Sequence, residues 1–125
     1  MSLSNSYLDY VIARLSRVAD VAYRRIFNGA ALYHRGLQFG LIGNDRLYFR
    51  ADEATRPLYQ QKNMPSLQPR GVNVQSDFYL LPDSLLNEPE ELRHWVRIAV
   101  EASDHSYSPE EDPSLSAAIN LRIRA

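Results

Sequence analysis

Between Phe27 and Asp52 three short apolar runs, Ala30 to His34, Leu37 to Ile42 and Arg46 to Arg50, are separated by two small turn-forming groups, Arg35 with Gly36 and Gly43 with Asn44 and Asp45. Connections this short leave no room for a crossover, so the three runs must be antiparallel neighbours. In the third run Leu47 and Phe49 point one way while Arg46, Tyr48 and Arg50 point the other, because side chains alternate across a pleat. A β-meander with one core face therefore anchors whatever else the chain builds.

Upstream, Leu8, Val11, Ile12, Leu15, Val18, Ala19, Ala22 and Ile26 recur at spacings of three and four. This predicts an amphipathic helix from about Ser6 to Phe27, stopped by Asn28 and Gly29. On such a helix Arg14, Arg17, Arg24 and Arg25 form a basic stripe opposite the apolar face. Downstream, Asp52 or Thr55 caps a second helix reaching about Lys62, with Pro57 limiting where it starts. Ser66 to Pro69 reads as a short strand, Arg70 and Gly71 as a turn, and Val72 to Leu81 as a longer strand. In that strand Val72, Val74, Ser76, Phe78 and Leu80 share one face, and Asn73, Gln75, Asp77 and Tyr79 the other. Asn87 and Glu90 then make a capping box, and Leu92, Trp95, Val96 and Ala99 the buried stripe of a last helix.

The resulting order, α-β-β-β-α-β-β-α, predicts an α+β two-layer sandwich with an antiparallel sheet of about five strands. At 125 residues one domain is expected, over residues 1–102. From Ser103 the composition turns to Ser, Pro and acid, including Glu110, Glu111 and Asp112, which reads as a polar tail over 103–125 with one or two helical turns between Leu115 and Ile123.

Chemistry is sparse. There is no cysteine, which excludes disulfides, thiolate nucleophiles and thiolate metal sites and, with no visible secretory signal, suits a cytoplasmic protein. His34, His94 and His105 show no ligand spacing, so no metal is expected. The glycines form neither GxGxxG nor a Walker loop, no serine sits in GxSxG, and no cofactor or catalytic residue is assigned. Glu90 and Glu91 suit the positive end of a helix dipole and need no acid/base role. The formal net charge is -1, and thirteen of the fourteen basic residues are arginine, Lys62 being the exception. Near-neutral charge argues against direct duplex-DNA binding, whose affinity comes largely from neutralised phosphates.

Two surfaces remain as candidates. One is the helix stripe of Arg14, Arg17, Arg24 and Arg25. The other is the outer sheet face, where Arg46, Tyr48, Arg50, Gln75 and Tyr79 would gather, a mixture favoured in protein interfaces, homodimers included. Three readings stay open: a protein-binding module, a small-molecule or anion-binding module or unrecognised enzyme using Arg24 and Arg25, and nucleic-acid binding through the stripe.

The order of words from roughly Arg25 to Ala102 resembles the TfoX/Sxy N-terminal domain family of bacterial competence regulators. The resemblance is carried by Arg25, Ile26, Phe27, Leu32, Tyr33, Phe39, Leu41, Ile42, Leu47, Tyr48, Arg50, Ala51 and Asp52, then Phe78, Tyr79, Leu81 and Pro82, then Glu88, Pro89, Glu90, Glu91, Leu92, Trp95, Ile98 and Ala99. Asn28, Ala30 and Ala31 depart from the family's glycine-rich turn, and the 22 residues after Ser103 are too few for the C-terminal domain of full-length members. The resemblance implies a secretion-chaperone-like α+β fold, no catalysis, and a regulatory role at competence promoters alongside the cyclic-AMP receptor protein.

Overall fold

A computed structural model describes residues 4–26, 28–67 and 77–106. Its elements are α1 (Asn5–Ser16), β1 (Ala22–Ile26), β2 (Gly29–His34), β3 (Leu37–Gly43), β4 (Arg46–Arg50), α2 (Arg56–Gln61), β5 (Phe78–Leu80), a 3-10 turn (Asp83–Asn87) and α3 (Pro89–Ser106). The five strands form one antiparallel sheet in the order β1-β2-β3-β4-β5. The α+β architecture expected from the pattern is the one present.

The meander is built by backbone sterics at its turns. His34 pairs with Leu37 and Gly43 with Arg46, so each loop has two residues. Those residues, Arg35 and Gly36 in one loop and Asn44 and Asp45 in the other, all have positive φ, between 50° and 85°. Positive φ at both central positions is the type I′ turn, whose twist matches that of the strands it joins. Gly43 thus belongs to β3 rather than to the turn.

The first helix is much shorter than its periodicity predicts. It runs from a Ser4 cap, whose hydroxyl accepts from the Tyr7 amide, to Ser16, and Ala22–Ile26 forms strand β1 instead. Ala22 and Ile26 keep helical phase with Val18 and Ala19, but a strand here pairs all five of its residues with β2 across a tight turn at Asn28, φ 65°. Asn28 and Gly29 therefore close a hairpin rather than a helix. Gly29 is forced by crowding, because a Cβ there would stand 2.1 Å from the Ile42 carbonyl oxygen.

Leu8, Val11 and Leu15 of α1 join Leu92, Trp95, Val96, Ile98 and Ala99 of α3 over the sheet residues Ala30, Leu32, Ile42, Leu47, Phe49 and Tyr79. This is the two-layer core. α1 is also clipped to the 3-10 turn, where Tyr7 donates to Asp83 and Tyr10 to Asn87, each at 3.2 Å. Asn87 consequently does not cap α3, which starts at Pro89 after Glu88, the Glu88 carbonyl receiving the Leu92 amide at 2.8 Å. Ahead of α2, Asp52 and Thr55 bond reciprocally: the Asp52 amide donates to Oγ1 of Thr55 and the Thr55 amide to Oδ1 of Asp52, both at 2.9 Å. Pro57 then falls in the helix's first turn, where its missing N–H is not needed. Asn63, with φ 59°, terminates α2.

Of the two later strands expected, Ser66 makes an isolated bridge to Tyr79, and β5 keeps Phe78–Leu80. Residues 68–76 and 107–125, with the Gln75 and tail-helix expectations, lie outside the described residues.

Candidate interaction surface

The eight described residues of the two expected surfaces do not form them. Arg14 and Arg17 sit on α1 and at its C-cap, the Arg14 guanidinium 5.1 Å from the centre of the Tyr10 ring. Arg24 and Arg25 are on β1, on opposite faces of the sheet, so the four-arginine helix stripe does not exist. Arg25 donates to the Asn5 side chain at the start of α1, while Arg24 donates to the Tyr33 hydroxyl at 3.3 Å.

The second correction concerns Tyr79. Phe49 pairs with Tyr79 across β4 and β5, so the two share a face, and that face is the core. Tyr79 is 1% exposed, stacked on Tyr59 with ring centres 5.1 Å apart. Tyr59 in turn lies 4.8 Å from Trp95. The alternation expected for this strand is thus inverted, with Phe78 and Leu80 only half-buried on the other side.

Arg46, Tyr48 and Arg50 do share the outer face, but unequally. Arg46 is exposed, whereas Tyr48, at 8%, lines an apolar depression with Ile26, Leu41 and Leu67. The Arg50 guanidinium lies over the Phe78 ring at 5.2 Å. Burial lowers its pKa, an effect opposed by the nearby Asp77 carboxylate, which also takes the Arg56 guanidinium at 2.8 Å.

Periodicity overlooked the most accessible strand. β1 stands at one edge of the sheet and is exposed along its whole length, with Tyr23 at 45% and Ile26 at 40%. An edge strand carries backbone N–H and C=O groups with no neighbour on one side, which is a template for another strand. A signal for it was in the sequence: Asn28-Gly29 after Ile26 and Phe27, two strand-favouring residues, is a hairpin word as well as a helix stop.

Two of the histidines have structural duties. His34 Nδ1 is 2.7 Å from the Asp20 carbonyl, and His94 sits edge-on to Trp95 at 5.9 Å. Among the described residues no cluster of His, Asp and Glu is arranged to hold a metal ion, and no helix is long and apolar enough to cross a membrane. The phenols of Tyr7 and Tyr59 are held neutral to unusually high pH, chiefly by burial, then by the carboxylates of Asp83 and Asp52 respectively.

No curated protein sequence matches the chain significantly. The model of the TfoX N-terminal domain matches residues 13–103, from the last turn of α1 to Ser103 in α3. An antiparallel meander, a short helix and a closing strand and helix, arranged in one five-stranded sheet and matched over that span, make this chain a member of the TfoX N-terminal domain family.

Proposed function

We propose that this protein works by binding another protein, as a TfoX/Sxy-like regulator of competence-gene transcription in the cytoplasm, and that it does so through the β1 edge. The observation that carries the reading is the five-residue exposed strand, bearing Tyr23 and Ile26 as apolar contacts and Arg24 and Arg25 as charged ones. Main-chain pairing at such an edge supplies affinity, and the alternating side chains supply selectivity. Arginines on an edge discourage unguided aggregation and favour a partner strand with acidic residues. The partner fitting the family's role is the transcription machinery at competence promoters, the cyclic-AMP receptor protein in particular, and a homodimer is the alternative occupant.

The TfoX N-terminal domain is not a known enzyme family. A non-catalytic role is accordingly the reading proposed, with no cofactor. Direct DNA binding is not, since a net charge of -1 supplies little attraction to phosphate.

The test is a pull-down with the tagged full chain alongside a deletion strain. Association with the transcription machinery and reduced competence-gene transcripts are expected. Unchanged transcripts and no association overturn the regulatory reading.

A further inference from the structure

A cleft of about 470 Å³ runs between the loop joining α1 to β1, the β2–β3 turn and α3. Its floor is apolar, from Val18, Ala19, Val96 and Val100. Around it stand Arg35, Arg93 and Arg97, all exposed, against the acids Asp20 and Glu101. The arginines outnumber the acids, and none of the three makes an ion pair with a described residue. Apolar ground rimmed by unpaired guanidinium groups fits an acidic segment that also carries aliphatic side chains.

The chain contains such a segment, attached at a suitable distance. α3 is described to Ser106, and Glu110, Glu111 and Asp112 follow in the sequence, then Leu115 and Ile119. Arg97 is nine residues before Ser106, or about 13 Å back along the helix at ~1.5 Å per residue. Glu110 to Asp112 stand four to six residues beyond it, a reach of at most about 13–21 Å at ~3.3–3.6 Å each. The acids can therefore return to Arg97, and Leu115 and Ile119 can come next to Val96 and Val18.

We infer that the segment Glu110–Ile119 of this chain docks intramolecularly in the cleft between the α1–β1 loop and α3, its three acids facing Arg35, Arg93 and Arg97. The tail is then a resident ligand of the domain, placed on a different surface from the β1 edge.

With no native cysteine, Ser114→Cys accepts a single nitroxide label in the full chain. In the 15N-labelled protein, loss of the amide signals of Val18, Ala19, Val96 and Val100 is expected, with the signals of Leu47 and Tyr79 retained. Arg93→Glu combined with Arg97→Glu restores the lost signals, as does reversing Glu110, Glu111 and Asp112 to lysine. Combining both sets of reversals brings the loss back. All these positions are exposed on α3 or lie beyond it, so an unchanged core spectrum checks the fold. Signal loss that ignores the reversals, falls elsewhere or does not occur overturns the inference. So does loss seen when label and isotope are on different molecules, which assigns the cleft to a second copy.

Discussion

Tyr59 and Tyr79 stack with ring planes 20° apart, joining α2 to the edge strand β5, and Trp95 of α3 closes on Tyr59 from another side. Three elements distant in sequence thus share one aromatic cluster. Replacing Tyr79 by alanine should cost about 3–5 kcal/mol, as for other large core aromatics, whereas a surface tyrosine would change stability by less than about 0.5 kcal/mol. Urea unfolding of the variant decides between the two.

The glycines separate crowding from backbone strain. Gly29→Ala drives a methyl into the Ile42 carbonyl and should cost at least about 1–3 kcal/mol. Gly36→Ala meets open space, but φ is +85°, so about 1–2 kcal/mol is expected. Gly43→Ala meets neither obstacle and should be neutral or stabilising by up to about 1 kcal/mol. Thermal melts of the three, run side by side, should rank them in that order.

Alkaline pH should unfold this protein through its buried phenols. The folded pKa of Tyr7 and Tyr59 is raised, so the unfolded chain loses their protons first. Their contribution is intact below about pH 10, the ordinary tyrosine value, and is lost as pH rises above it. Tyr59→Phe should cost about 0.5–1.5 kcal/mol at pH 7, because its hydroxyl donates to the Arg50 carbonyl at 3.3 Å. It should also flatten the fall in melting temperature between pH 9 and 11, which a pH series of melts with parallel absorbance titration reads directly.

At the β1 edge, Tyr23→Lys with Ile26→Lys should leave the fold intact with a modest fall in melting temperature, the two side chains being 45% and 40% exposed and Ile26 also lining the depression beside Tyr48. Capture of the partner should fall at least about tenfold, the loss of roughly 1.4 kcal/mol of contact. Undiminished capture moves the contact to another face.

Helix phase explains what the sequence concealed. Ala22 and Ile26 continue the three-and-four spacing of α1 and have no proline before them, so nothing local separates strand from helix between Val18 and Phe27. Likewise Tyr79 suits either face of a sheet, since its ring is apolar and its hydroxyl polar. The arginine stripe and the five-residue sheet patch both inherited these two local ambiguities. The cleft between the α1–β1 loop and α3 was illegible for a different reason, since its lining comes from three separated segments.

By itself the sequence determined the meander, the Arg35-Gly36 turn, the core stripes of α1 and α3 and the family, because these depend on short-range sterics and on apolar periodicity. Only the tertiary structure decided that Ala22–Ile26 is an edge strand, that Tyr79 is core and that Arg24 and Arg25 part company. Those outcomes depend on which strand pairs with which, and pairing energy is shared between residues that the chain keeps far apart.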